Sequence, residues 1–251
     1  MFGHVIRGLF LNNECIRIAD ECRYLGFHLD STLSGERQVN EVISSCTLKI
    51  RKIRKIRHLM NQKDTETFVR SVIFSKINYC NSLFLNLSAA NLNKMQKLQN
   101  NAMRLIYNVP PRTSVTEKYE ELEILRVDQC IVFKILLFVH KIFANKMSTC
   151  IKDLVEIDSS LNRLLVVKYF MSSYARKSFS FSAPRYWNKL PINIRLEDNI
   201  DKFKKLSKKC ILENGNNIMS ATTGYYFLPR WIFCWIITVI SCFLYALHFV
   251  S

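Results

Sequence analysis

Lys49-Ile50-Arg51-Lys52-Ile53-Arg54-Lys55-Ile56-Arg57 places six cations in nine residues, with isoleucine at every third position. On a helix at about 100° per residue, this pattern leaves a narrow apolar seam and spreads the charge over the other faces. The seam can dock on a core while Lys49, Arg51, Lys52, Arg54, Lys55 and Arg57 meet a phosphate backbone, displacing its counterions. Binding of that kind ignores base sequence and weakens as salt rises. The same run also fits a solvated helix or a nuclear-import patch.

The other chemistry-bearing residue types give little. Lys202, Lys204, Lys205, Lys208 and Lys209 form a second basic cluster, on a helix whose apolar side is Ile200, Phe203, Leu206 and Ile211, and this reads as a solvated face. Phe181, Tyr186 and Trp187 around Pro184 could stack on bases, but aromatic residues beside proline more often pack as a small core. His4, His28, His58, His140 and His248 stand singly, without ligand spacing. The nine cysteines contain no CxxC and read as reduced thiols. The six glycines form neither GxGxxG, nor a Walker loop, nor GxSxG. Two-metal polymerisation needs adjacent carboxylates, and no Asp-Asp pair occurs. No catalytic residue, metal ligand, cofactor or small-molecule substrate is therefore expected.

Composition agrees with an anionic partner. Thirty-six Lys and Arg stand against twenty Asp and Glu, a formal charge of +16, while 49% hydrophobic residues suffice for a core. The absence of a signal peptide and the odd cysteine count point to a cytoplasmic or nuclear body. Trp231 to Val250 is different: it carries no acid, lysine or arginine, and twenty helical residues rise about 30 Å, the thickness of a bilayer core. Inserted, it would be a C-terminal tail anchor with the basic body on the cytoplasmic side; the other readings are a core helix or an accidental tail.

Periodicity predicts a mainly α chain with a small N-terminal β-hairpin. Leu9 to Leu11 and Cys15 to Ile18 alternate around an Asn12-Asn13-Glu14 turn, and strand signals continue over Arg23 to Asp30. A helix begins near Glu36, with Val39, Ile43, Cys46, Ile50, Ile53 and Met60 on one side. A second is expected from Asp64, as cap, to Asn86, with a Phe68, Val72, Ile73, Ile77 stripe; a third runs from Ser88 to Tyr107 and stops at Pro110-Pro111, where a domain boundary is placed. Thr113 to Ala144 reads as a polar helix and then a buried one. Residues 145 to 177 read as a connection, Asn199 to Leu212 as a helix, and Glu213 to Asn217 as a break.

Five ordered blocks carry a resemblance. Tyr24-Leu25-Gly26-Phe27-His28-Leu29-Asp30, Lys76-Ile77-Asn78-Tyr79-Cys80-Asn81-Ser82-Leu83-Phe84 and Lys97-Leu98-Gln99-Asn100-Asn101-Ala102-Met103-Arg104-Leu105-Ile106 are the first three. Phe133-Lys134-Ile135-Leu136-Leu137 comes next, and the last runs from Phe179 through Ala183-Pro184-Arg185-Tyr186-Trp187-Asn188-Lys189-Leu190-Pro191 to Arg195, with Phe203-Lys204 beyond. Together, over about residues 9 to 212, they resemble the reverse transcriptase of non-LTR (LINE-type, jockey-like) retrotransposons downstream of its palm; Asn78 stands where that family usually has Asp.

The resemblance implies that residues 1–30 are a palm-end hairpin, 31–110 a helical thumb and 111–220 the C-terminal region; the hydrophobic tail, 225–251, lies beyond what it covers. It also implies that the metal-binding aspartates and the endonuclease are missing. The expected function is then that of a catalytically incomplete fragment of an RNA-directed DNA polymerase. At most it would grip an RNA–DNA duplex or other nucleic acid through the Lys49 to Arg57 run. The alternative, from a different class, is a tail-anchored membrane protein with a basic cytoplasmic body.

Overall fold

A computed structural model describes residues 9–11, 14–16, 19–32, 34–144, 147–158, 162–168 and 178–219. It is mainly helical, with short antiparallel β structure at the N-terminus. Strand β1 (Leu9–Leu11) pairs with β2 (Glu14–Ile16), Leu9 opposite Ile16. The Asn12-Asn13 turn lies outside the described residues.

The stretch from Arg23 to Asp30 is not one strand. It folds back on itself as β3 (Glu21–Tyr24) and β4 (Phe27–Asp30) around a two-residue turn, with Leu25 at φ 46° and Gly26 at φ 82°. Two consecutive left-handed residues make the turn whose twist matches paired strands. The usual Asn-Gly signal is replaced by Leu-Gly, so sequence pattern alone reads through it. Phe27 and Leu29 point inward, and the Phe27 ring lies 5.5 Å from that of Phe84.

Asp30 joins the hairpin to the first helix. Its carboxylate accepts from the backbone N–H of Thr32, Ser34 and Gly35 and from the hydroxyls of Thr32 and Ser34. Burial works to raise its pKa, but these donors prevail and hold it below the ordinary value.

Helix α1 (Glu36–Ile56) buries Val39, Val42, Cys46, Ile50 and Ile53 and stops four residues before Met60. A 3-10 turn (Arg57–Leu59) comes next, and then α2 (Gln62–Val69). The cap of α2 is Asn61, whose side chain accepts from the Asp64 N–H; Asp64 itself sits in the first turn. A π turn (Arg70–Phe74) leads into α3 (Ser75–Asn78). The wider turn rotates the helix beyond it, so Val69, Ile73, Phe74 and Ile77 are inside and Phe68, expected there, is exposed.

A 3-10 segment (Asn81–Asn86) reaches α4 (Ala89–Tyr107), capped by the Ser88 hydroxyl and ended by Asn108 in the left-handed conformation. Met95, Leu98, Ala102, Leu105 and Ile106 face inward. Helices α1 and α4 run parallel, since Lys94 meets Glu36 at one end and Arg57 meets the Leu105 and Ile106 carbonyls at the other.

Beyond Pro110-Pro111 come α5 (Thr116–Glu121) and the apolar α6 (Val127–Phe143). A polar set secures α6 to α4: Gln96 accepts from the Val127 N–H, Gln99 donates to the Leu125 carbonyl, and the Tyr119 hydroxyl donates to Asn100. Gln99 is 1% exposed, so its pairing is obligatory.

The short α7 (Thr149–Lys152) and an isolated Ile157–Leu165 bridge precede α8 (Phe179–Asn188), α9 (Ile192–Arg195) and α10 (Ile200–Met219), which kinks at Asn214 inside the expected break. On α10 the inward residues are Phe203, Ser207, Cys210 and Ile211, while Leu206 is exposed. One hydrophobic cluster runs from Phe27 to Ile211 and includes helices on both sides of Pro110-Pro111. Phe181, Tyr186 and Trp187 are all buried in or beside it. No helix among the described residues is long and apolar enough to cross a membrane; Trp231 to Val250 and the tail from 225 lie outside them.

Packing sets thiol reactivity. Burial raises the pKa of Cys46, Cys80 and Cys210, and pushes Cys130 up to about 12. Cys22 is exposed. In the native protein at pH 7.5, iodoacetamide should label Cys22 at least about tenfold faster than those four, by peptide mass mapping. Equal labelling of Cys130 would mean that α6 is not packed as described.

Candidate nucleic-acid interface

Charge is segregated along α1. Its acids lie at the N-terminal end and are engaged: Glu36 with Lys94, and Glu41 with His28 at 2.7 Å and Arg23 at 3.8 Å. From Val42 to Lys63 there is no acid at all. Acids at the start of a helix and cations at its end both suit the helix dipole, which accounts for part of this ordering. The dipole does not account for six cations within nine residues.

Ile50 and Ile53 point into the core, which turns the intervening positions outward. Arg51, Lys52, Arg54 and Lys55 are exposed. At 100° per residue, Arg54, Arg51, Lys55 and Lys52 succeed one another around an outer arc of about 160° over the last two turns. None of the four makes an ion pair among the described residues. Lys49 is half-buried at the edge of the seam.

Arg57 is placed differently from the other five. Because α1 ends at Ile56, its guanidinium swings onto the C-terminus of α4: Nε donates to the Leu105 carbonyl at 3.0 Å and Nη2 to that of Ile106 at 3.0 Å. Nη1 donates to the Met60 carbonyl at 2.6 Å. These carbonyls belong to the orphan acceptors at a helix end, so Arg57 caps α4 and anchors the cationic turn to it.

The fold also brings up Lys76, which sequence reading passed over because it stands alone in its own segment. Its ammonium donates to Ser45 at 2.8 Å from α3 across to α1. Among other exposed groups, Leu48, Ile56 and Leu59 sit within or beside the basic turns.

Three of the five lysines of the second basic cluster are neutralised locally, while Lys202 and Lys205 are exposed. Lys204 pairs with Asp201 at 3.2 Å, Lys208 with Glu123 at 3.5 Å and Lys209 with Glu213 at 3.8 Å. Lys204, Lys205, Lys208 and Lys209 line, with Glu120, Glu123 and Glu213, an open groove of about 1100 Å³ whose charge is mixed. No group of three His, Cys, Asp or Glu side chains among the described residues is arranged to hold a metal ion. Taken by its fold and surface, the described part is a helical protein whose first helix ends in an exposed cationic arc without ion pairs. Comparisons with protein-family models, with curated proteins and with solved structures find no match.

Proposed function

We propose that these residues grip a nucleic-acid backbone without reading its sequence, as the thumb and C-terminal region of a non-LTR retrotransposon reverse transcriptase would. The observation that carries this reading is the outer arc of Arg51, Lys52, Arg54 and Lys55, four exposed cations with no acid on the same stretch of chain. On α10, by contrast, three of the five lysines in the basic cluster have acidic partners. Leaving four unpaired on one helix end keeps them available for phosphates, whose contact releases counterions. The resemblance supplies the ligand class, an RNA–DNA duplex, and assigns 31–110 to the thumb. These residues include no adjacent aspartates to hold two metal ions, so we assign them no polymerisation chemistry.

The test is binding of a fluorescent RNA–DNA hybrid by the full chain over about 50–400 mM salt. Four backbone contacts predict a log–log slope of about −3.6 or steeper, with the same affinity for hybrids of scrambled sequence. A slope shallower than about −1 would refute the reading, and so would preference for one base sequence.

A further inference from the structure

At the junction of α1 and α3 one hydroxyl is bonded by one lysine and stands one helical turn from a second. Lys76 donates to Ser45 Oγ at 2.8 Å. Ser45 and Lys49 are one turn apart on α1 and share a flank. Both lysines lie close enough to Cys46, the buried residue next to Ser45 on α1, for their charges to act on its thiol. Ser45, Lys49 and Lys76 are all half-buried, where charge is screened less than on open surface. Neither lysine forms an ion pair among the described residues. Like charges that act on the same buried thiol from partial shelter disfavour each other, and an anion bound there offsets that repulsion.

The donor set matches one ligand chemistry. Each ammonium retains donors beyond those it uses within the protein. The Ser45 oxygen accepts from Lys76, which leaves its own O–H free to donate. Two non-bridging phosphate oxygens can take one ammonium each, and one of them the hydroxyl.

We propose that Ser45, Lys49 and Lys76 form a seat for a single phosphodiester group of a bound nucleic acid. The inference rests on the proposed nucleic-acid grip and deepens it: the outer arc attracts diffusely, whereas the seat fixes where the backbone crosses α1. The phosphate of a lipid headgroup has the same chemistry, so the test has two arms.

The full chain is titrated with the RNA–DNA hybrid and, separately, with phosphatidylcholine vesicles holding one-third phosphatidylserine. Lys76→Met keeps most of the aliphatic stem and removes the charge. On the hybrid it should weaken binding about eightfold at 0.1 M salt and reduce the slope by about 0.9, the share of one contact. Lys76→Arg should restore most of the affinity, and vesicle binding should change less than about twofold. Lys49→Met lacks the helix-to-helix bond to Ser45 and must give the same loss, which separates the seat from a merely structural role for Lys76. An unchanged slope in either methionine variant overturns the seat, and so does an equal loss on vesicles, which would make Lys76 generic charge. If hybrid binding survives loss of the outer arc as well, the functional reading fails with it; if only the arc matters, the seat alone fails.

Discussion

Replacing Trp187 by alanine is expected to cost about 3–5 kcal/mol of folding stability, a large share of the roughly 5–15 kcal/mol a domain possesses. The indole is fully buried. Its ring stacks on Phe143 at 5.2 Å and lies 5.7 Å from Phe203, so one side chain joins α8 to α6 and to α10. Its Nε1 donates to the Arg163 carbonyl at 2.6 Å, and Asn188, one residue on, pairs with both backbone groups of Leu165. Alanine removes the ring and the donor together and leaves a cavity that three helices cannot close. Trp187→Phe keeps most of the packing but orphans the Arg163 carbonyl, a smaller loss of about 1–3 kcal/mol. Urea unfolding of both variants, monitored by far-ultraviolet dichroism, measures the two costs. An alanine variant within about 1 kcal/mol of the native chain would mean that α8 does not dock on α6. Where the variant remains folded, its salt slope on nucleic acid should match the native one, because a ring in the core cannot stack on bases.

That outcome also bears on what sequence could reveal. The aromatic cluster beside Pro184 has two readings as a sequence, base stacking or small core, and burial of Phe181, Tyr186 and Trp187 decides for the core. Helix α4 was legible almost whole, because Ser88, the Leu98 to Ile106 spacing and Pro110 are local signals that tertiary structure had no reason to override. Helices α2 and α3 were less so: a π turn inserts extra arc without any residue to announce it, and a stripe projected from Phe68 drifts out of phase. The Leu25-Gly26 turn was hidden because leucine rarely takes a left-handed conformation.

The candidate site shows the same division. That Lys49 to Arg57 would be a basic helix end was legible from its isoleucine repeat. Which cations remain available was not, because that depends on where α1 stops and what lies beside it. One residue past the end of α1, Arg57 meets the carbonyls of α4, more than forty residues away in the chain. Lys76 reaches Ser45 only because α3 packs back along α1. Run length measures charge, while contacts between helices decide its use.

The largest functional effect should come from removing the arc itself. Arg51→Gln, Lys52→Gln, Arg54→Gln and Lys55→Gln together delete four contacts, each worth about 0.9 in the salt slope. At 0.1 M salt this amounts to about three to four orders of magnitude in affinity for an RNA–DNA hybrid, and the remaining slope is about −1.8, the share of Lys49 and Lys76. Glutamine keeps stem length and helix propensity close to those of the cations it replaces, and all four positions face solvent. Stability should therefore shift by less than about 1 kcal/mol, most of it from lost interaction with the helix dipole. Arg57 is left out of the set for a physical reason: two of its bonds cap the end of α4 and a third holds the Met60 carbonyl, so Arg57→Gln would lower melting temperature and binding together and could not separate grip from fold. Anisotropy titrations at four salt concentrations, with melting curves alongside, distinguish the cases. Loss of slope at constant melting temperature means that the arc holds the backbone. A slope unchanged from the native one would move the grip to cations outside the arc, and the resemblance to a polymerase thumb would then draw no support from it.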